Sequence, residues 1–183
     1  MKPRRSLKAR ALQYLAQREH SRLELRRKLL LQARAEEAAA EAADDACAGS
    51  AGDAPPRPGA EARVEAVLDW LAAHDYLSSE RFVESRVHAR AARFGNLRIR
   101  QELKQHAVAL PPGAAQALKD TELERACAVR SRKFPEPPSS AGEQARQVRF
   151  LMGRGFSPEV IRRALRDAAN AGADSAVAPP TLD

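Results

Sequence analysis

Aromatic residues and cysteines are scarce in this sequence. Phenylalanine, tryptophan and tyrosine make up 4% of the 183 residues, so a single thick core built on large rings is not expected. The two cysteines, Cys47 and Cys127, lie in an Ala-rich stretch and in a helical pattern. Neither stands at metal-ligand spacing from another cysteine or a histidine, which argues against a disulfide framework and against a Cys/His metal site.

Long apolar runs and catalytic motifs are also missing. No run of 18 or more apolar residues occurs, and the first residues, MKPRRSLKAR, lead into an amphipathic pattern. We therefore expect no membrane span, no signal peptide and a cytoplasmic location. The four histidines stand singly, and the GRG at 153–155 lacks the Lys-Ser/Thr of a phosphate loop. The sequence predicts no enzymatic activity and no cofactor.

Positive charge is abundant and unevenly distributed. The formal net charge is +7, the sequence pI is near 10.0, and 25 of the 31 basic residues are arginine. Residues 1–34 carry a net charge of +9, whereas residues 35–61 carry −6. This balance favours an anionic partner, either nucleic acid or an acidic protein surface.

An internal repeat organises the helical patterns. The segment LQYLAQREHSRLELRRKL (12–29) aligns at a constant offset with VRFLMGRGFSPEVIRRAL (148–165), and LDWLAAHDYLSSERFVESRV fits with one extra residue. The offset matches Tyr14 with Phe150, Leu25 with Ile161, Leu29 with Leu165, and Arg26 and Arg27 with Arg162 and Arg163. Each copy predicts a helix, a tight break, an N-cap serine (Ser21, Ser78 or Ser157) and a second helix.

The middle copy continues into a further helix, RFGNLRIRQELKQ. Gly95 predicts a helix C-cap, and Asn96 predicts the N-cap of the helix that follows. Ile99, Leu103 and Ala107 form the predicted buried stripe of that helix, and basic residues occupy its outward face.

Ten cations are the candidate partner- or DNA-binding residues. Arg86, Arg90 and Arg93 fall at i, i+4 and i+7 on one side of a predicted helix, and with Arg98 and Arg100 they predict a continuous basic stripe. The full set is Arg26, Arg27, Arg86, Arg90, Arg93, Arg98, Arg100, Lys104, Arg162 and Arg163. A solvated helix face is the alternative interpretation of any one of them.

Four segments in order resemble the bacterial RecX family of RecA recombinase regulators: SRLELRRKL, HDYLSSERFVESRV, RFGNLRIRQEL and FLMGRGFSPEVIRRAL. The resemblance covers residues 6–32 and 62–168. It implies a modular helical protein, monomeric and not itself an enzyme, that lies along the groove of the RecA–DNA filament. There it would inhibit the recombinase, ATPase and coprotease activities that serve DNA repair, recombination and the SOS response. The family commonly has Lys-Gly after the Glu-Leu of the middle segment, where this chain has Gln105, His106 and Ala107.

The predicted fold is all-α, with tandem three-helix repeats that form an elongated, curved modular array. The predicted ranges are 6–34 for a first, interrupted repeat, 35–61 for an acidic and partly disordered insertion, 62–109 for a middle three-helix repeat, 113–169 for a third repeat, and 170–183 for a disordered tail.

An autonomous DNA-binding protein is the alternative function. In that hypothesis the helix from Asn96 to Val108 is the recognition helix of a helix-turn-helix motif. No dimerisation segment is evident to fix such a unit on a defined site. We therefore expect weak, sequence-independent and salt-dependent binding to single- or double-stranded DNA.

Overall fold

The computed structural model describes residues 6–46 and 58–176, and within these ranges it contains helices and no strands. This confirms the all-α prediction. The helices of the described ranges are α1 (Leu7–Gln17), α2 (Arg22–Ala46), α3 (Ala60–Ala73), α4 (Ser79–Ala91), α5 (Asn96–Gln105), α6 (Pro112–Asp120), α7 (Glu122–Lys133), α8 (Ala141–Gly153) and α9 (Pro158–Ala176). The chain divides into two compact units, Met1–Phe82 and Val83–Asp183, with the division inside α4.

The first unit packs α1, α2 and α3 around one apolar core. Leu25, Leu29 and Ala33 follow each other at four-residue spacing on α2, which places them on one face of the helix, and all three are fully buried. They share a core cluster with Val64 and Leu68 of α3 and with two residues of α1. The apolar spacing of α2 therefore determines which of its faces the other two helices cover.

Helix α3 falls in the range predicted for the middle repeat, yet its apolar face packs against α1 and α2. Val64, Leu68 and Leu71 are fully buried in the core of the first unit. By sequence similarity α3 belongs to the middle repeat, but by packing it belongs with α1 and α2. A helix packs where neighbouring helices cover its apolar face. The predicted ranges of the three repeats stay predictions.

Two helices are longer than their predicted repeats. Helix α2 continues to Ala46 and α9 to Ala176. Residues 35–46 of the predicted insertion and 170–176 of the predicted tail are thus helical, and the end of the insertion forms the start of α3 at Ala60. Residues 47–57 and 177–183 lie outside the described residues.

The second unit has its apolar core among α7, α8 and α9. The core consists of Ala126, Val129, Leu151, Phe156, Ile161, Ala164 and Leu165. On α5, Ile99 and Leu103 are each 1% exposed, as predicted. Ala107, the third residue of the predicted stripe, is exposed instead, because α5 ends at Gln105 and the chain turns there.

Serine hydroxyls mark the starts of two repeat helices. The hydroxyls of Ser21 and Ser78 each accept a hydrogen bond from the amide three residues later, at 3.1 and 3.2 Å, which confirms their predicted capping role. Ser157 differs, because its hydroxyl donates to Oε2 of Glu122 at 3.4 Å. In the third repeat the serine hydroxyl therefore binds α7, which begins at Glu122.

The helices α3, α5 and α8 end in the same C-cap. The residue after each cap has a positive φ, 56° at Asp75, 55° at Ala107 and 80° at Gly155. In each cap the next amide donates to the carbonyl oxygen five residues earlier, at 2.9, 3.1 and 3.2 Å respectively, which defines a Schellman motif. Ala107 adopts this conformation at a steric cost that Gly155 avoids.

Candidate basic interface

Gly95 brings the start of α5 against the turn between α8 and α9. Its amide donates to the carbonyl oxygen of Arg154 at 2.9 Å, and the amide of Leu97 donates to that of Gly155 at 3.0 Å. A Cβ at Gly95 would lie 2.3 Å from the Gly155 oxygen. The predicted C-cap role of Gly95 is wrong: its φ is −80° and it is the N-cap of α5. Glycine is needed at position 95 because the backbone there lies directly against the backbone of the turn between α8 and α9.

A buried polar network holds the same junction. One carboxylate oxygen of Glu122 accepts from the amides of Asn96 and Ser157, at 3.0 and 3.3 Å. The Asn96 side chain does not cap its own helix: it donates to the Leu118 carbonyl at 3.1 Å and accepts from Arg125 at 2.6 Å. Burial lowers the pKa of the Arg125 guanidinium, which also donates to two carbonyl oxygens at the end of α4 and just beyond it. The start of α5 is therefore fixed to α4, α6, α7 and α9.

Four arginines surround the half-buried ring of Phe94. Their guanidinium carbons lie 5.0 Å (Arg98), 5.6 Å (Arg154), 5.7 Å (Arg90) and 5.8 Å (Arg93) from the ring centroid, within cation–π reach. We call these five residues the Phe94 cluster. Guanidinium charges this close to one another repel, so a neighbouring anion stabilises them.

Glu102 of α5 divides the predicted basic stripe. Its carboxylate accepts from Arg86 at 3.2 Å and from Arg90 at 3.0 Å. Arg93 and Arg98, by contrast, have no carboxylate at salt-bridge distance among the residues described. Glu102 thus partly balances the charge of Arg86 and Arg90, whereas Arg93 and Arg98 have no such internal counter-charge among the described residues.

The other predicted residues of the second unit are exposed. Arg100 and Lys104 lie on α5, and Arg162 and Arg163 lie on α9. Within the described ranges, none of the four has an acidic partner at salt-bridge distance. They add positive charge to the surface without belonging to the Phe94 cluster.

In the first unit several arginines are paired with carboxylates. Arg26 donates to Glu65 at 2.5 Å, Arg22 donates to Glu65 at 2.6 Å, and Arg18 binds Glu24. Arg27, in contrast, is exposed. Of the two candidates that sequence analysis placed in this unit, one is therefore engaged in an internal ion pair.

These ion pairs shift the pKa values of their acids. Hydrogen bonds from Arg26 and then Arg22 lower the pKa of Glu65. Burial acts to raise the pKa of Glu24, but the hydrogen bond and charge of Arg18 outweigh it, and the pKa is lowered overall. The neighbouring arginines thus favour the ionised form of both carboxylates.

Sequence analysis missed three cations that the fold brings to this surface. Arg154 joins the Phe94 cluster from the turn between α8 and α9, and Arg132 and Lys133 come from the last turn of α7. The internal repeat held a signal for one of them, because Arg154 aligns with Arg18 at the constant offset. Arg132 and Lys133 have no counterpart in that alignment, so only the packing of α7 reveals them.

Other kinds of site find no support in the described residues. Within these ranges no group of three His, Cys, Asp or Glu side chains is placed to hold a metal ion. The described helices include none that is long and apolar enough to cross a membrane.

Known proteins share this architecture. The family model described as the third three-helix domain of RecX matches residues 120–165, which span α7, α8 and the first part of α9. Regulatory protein RecX of Leptothrix cholodnii is 47% identical over 167 residues, 90% of this chain and 90% of that protein. Regulatory protein RecX of Ralstonia nicotianae is 45% identical over 166 residues, 89% and 88% of the two chains. The crystal structure of RecX from Lactobacillus salivarius has the same fold, with a TM-score of 0.61 at 16% identity over 90% of this chain and 95% of that one.

The class is thus that of all-helical regulatory proteins built from three-helix domains. With relatives this similar over nearly the whole chain, the protein belongs to the RecX family of regulatory proteins.

Proposed function

We propose that this chain binds the RecA recombinase–DNA filament along its groove and inhibits the recombinase, ATPase and coprotease activities of RecA. In this proposal it acts in the cytoplasm as a monomer, and it is a regulator of DNA repair, recombination and the SOS response rather than an enzyme. Family membership supports a regulatory role. The uncompensated cations of the second unit support an anionic partner.

The Phe94 cluster is the observation that carries the proposal. A recombinase filament on DNA presents closely spaced phosphates, and duplex DNA carries about one negative charge per 1.7 Å of axis. Arg93, Arg98 and Arg154 keep charges free of internal carboxylates, and the exposed cations of α5 and α9 extend the positive surface. Such a surface attracts a polyanion without reading its sequence.

The start of α5 disfavours the alternative of an autonomous helix-turn-helix protein. Recognition helices insert their N-terminal residues into the major groove. Here Gly95 and Asn96 are buried, and their amides are bound to Arg154 and Glu122. Protection of one defined DNA sequence against competitor DNA would instead support the alternative and contradict the proposal.

The proposal is tested by Arg93→Ser, Arg98→Ser and Lys104→Ser in one chain. All three side chains are exposed, so we expect each change to alter stability by no more than about 0.5 kcal/mol. Inhibition of RecA strand exchange should need roughly tenfold more protein, because phosphate contacts by basic side chains dominate affinity for DNA. Strand-exchange assays and circular dichroism measure the two effects.

A matched control removes three exposed cations elsewhere in the second unit, Lys119, Arg149 and Arg166, by serine substitution. The control should inhibit strand exchange at nearly wild-type concentrations. If the first variant is folded and inhibits like the wild type, or if both variants lose inhibition equally, the role assigned to the Phe94 cluster and α5 is contradicted. Absence of inhibition by the wild-type protein contradicts the proposed function itself.

A further inference from the structure

A small cavity beside the Phe94 cluster is lined by cations and has an apolar floor. Its volume is about 220 Å³, and its lining consists of Arg93, Arg132, Lys133, Arg154, Val129 and Phe150. Sites that enclose a whole small molecule usually measure about 300–1,000 Å³. The cavity is therefore of a size to take one charged group of a larger ligand.

No carboxylate balances the four cations of this cavity. The lining contains no acidic residue, and none of the four forms a salt bridge within the part of the chain that the structure describes. The one recorded internal acceptor is the carbonyl oxygen of Arg93, which lies 3.4 Å from Nη1 of Arg154. By contrast, the buried Arg130 nearby donates to Gln147 at 3.0 Å and to a carbonyl oxygen at 2.6 Å. The donors of the cavity thus remain available to an external acceptor.

Helix dipoles offset only part of the positive charge in this cavity. Arg132 and Lys133 stand in the last turn of α7, Arg154 is the C-cap of α8, and Arg93 follows the end of α4. A helix C-terminus carries about half a negative charge, so three of them offset roughly 1.5 of the four positive charges. A net positive charge remains in the cavity.

Arg154, one of the four cations, lies close to two aromatic rings. The guanidinium carbon of Arg154 lies 5.0 Å from the ring centroid of Phe150 and 5.6 Å from that of Phe94. Contact with rings leaves the edge of a guanidinium for hydrogen bonding, and that edge matches two oxygens of a phosphate group. Arg154 is half-buried, whereas Arg93, Arg132 and Lys133 are exposed at the rim.

We propose that Arg93, Arg132, Lys133 and Arg154 form a binding site for one phosphodiester group of a single DNA strand. The proposal rests on the proposed function, which makes DNA part of the partner, and it adds a specific anchoring point with Arg132 and Lys133 as new contact residues. A free nucleotide carries the same phosphate chemistry, so the test includes both ligands.

The test compares the double variant Arg132→Gln, Lys133→Gln with a charge-matched control, Arg149→Gln, Arg166→Gln. Arg149 and Arg166 are exposed in the second unit and lie outside the cavity lining. Binding of a 20-nucleotide oligothymidine and of ATP, each fluorescently labelled, is measured by fluorescence anisotropy over a range of salt concentrations. Loss of one phosphate contact should reduce the slope of log K against log salt by about 0.7, and affinity should fall by roughly tenfold.

The control should keep the wild-type slope and lose less than about threefold in affinity, because exposed charges act through screened solvent. Circular dichroism confirms that both variants are folded. Equal slopes for the two variants overturn the proposal. Loss of ATP binding without loss of oligothymidine binding also overturns it, because the site would then serve a nucleotide.

Failure here is distinguishable from failure of the proposed function. Oligothymidine binding is measured without RecA, and the cavity variant leaves Arg93, Arg98 and Lys104 in place. If the cavity variant binds DNA like the control while the serine variant of those three residues loses inhibition of strand exchange, the phosphate site is wrong and the proposed function stands.

Discussion

The helix pair α1–α2 in the first unit and the pair α8–α9 in the second have matching cores. At the constant sequence offset, Leu25 corresponds to Ile161 and Leu29 to Leu165, and all four side chains are at most 5% exposed. Buried apolar residues thus occupy the same two positions of the second helix in both pairs. The repeat preserves the internal packing of the helix pair.

The surfaces of the two pairs differ in how their arginines are balanced. In the first unit Arg18 binds Glu24. At the constant offset Arg154 corresponds to Arg18 and Val160 to Glu24, so Arg154 lacks this carboxylate and lies near two aromatic rings instead. The first unit contains 14 basic and 13 acidic residues, and the second contains 17 and 11. The comparison teaches that the positive charge of the second unit comes both from its three additional basic residues and from its two fewer acidic residues.

The largest expected effects test the equivalence of the two cores. Leu25→Ala and Ile161→Ala should each lower the free energy of unfolding by about 2–5 kcal/mol, because both side chains are buried among apolar neighbours. Urea titrations followed by circular dichroism measure the losses. A cost below about 1 kcal/mol at only one of the two positions would break the equivalence of the cores.

A smaller effect distinguishes the C-caps of α5 and α8. Ala107→Gly should stabilise the protein by about 0.5–1 kcal/mol, because glycine adopts the positive φ of Ala107 without steric cost, at some expense in unfolded-state entropy. Gly155→Ala should destabilise it, because the φ is 80° and the new Cβ would lie 2.5 Å from the Cβ of Arg98. Thermal melts of both variants give the signs, and equal signs would contradict the role assigned to the caps.

The smallest expected effect is the loss of stability in acid, where the ion pairs of the first unit break. Because the folded-state pKa values of Glu24 and Glu65 are lowered from 4.5, their stabilisation is present above that pH and is lost as pH falls through the lowered values. Trp70, the only tryptophan, packs against the first core, so its fluorescence reports this unit. The urea midpoint seen by Trp70 should therefore fall below pH 4.5.

The matched variant for this prediction is Glu24→Gln with Glu65→Gln. It should flatten the dependence of the Trp70 midpoint on pH, because neither amide titrates. An acid-induced fall as steep as in the wild type would mean that other carboxyl groups cause it.

The helices and much of their burial were predictable from local sequence. Ile99 and Leu103 are buried as their four-residue spacing indicates, and Ser21 and Ser78 cap the helices they precede. Ala107 was misplaced because the same spacing continues past the point where α5 ends. Apolar periodicity and capping residues act within one or two turns of helix, so a single segment carries the information.

Contacts across long sequence separations were not predictable in this way. Gly95 looked like a C-cap glycine, but its reason is the approach of the turn that contains Gly155. The candidate arginines of α4 were likewise assigned as one stripe, and only the fold shows that Glu102 pairs with Arg86 and Arg90. The ten candidate binding residues, taken as a set, stay a prediction until the variants are measured.

The backbone contact between Gly95 and Gly155 has a consequence for divergence within the family. The hydrogen bonds at this junction use main-chain atoms that every residue type supplies. Core side chains can therefore change over evolutionary time without moving the turn before α5 or the turn between α8 and α9, provided that both glycines are kept. A side chain at either glycine, by contrast, would collide with the backbone of the other segment.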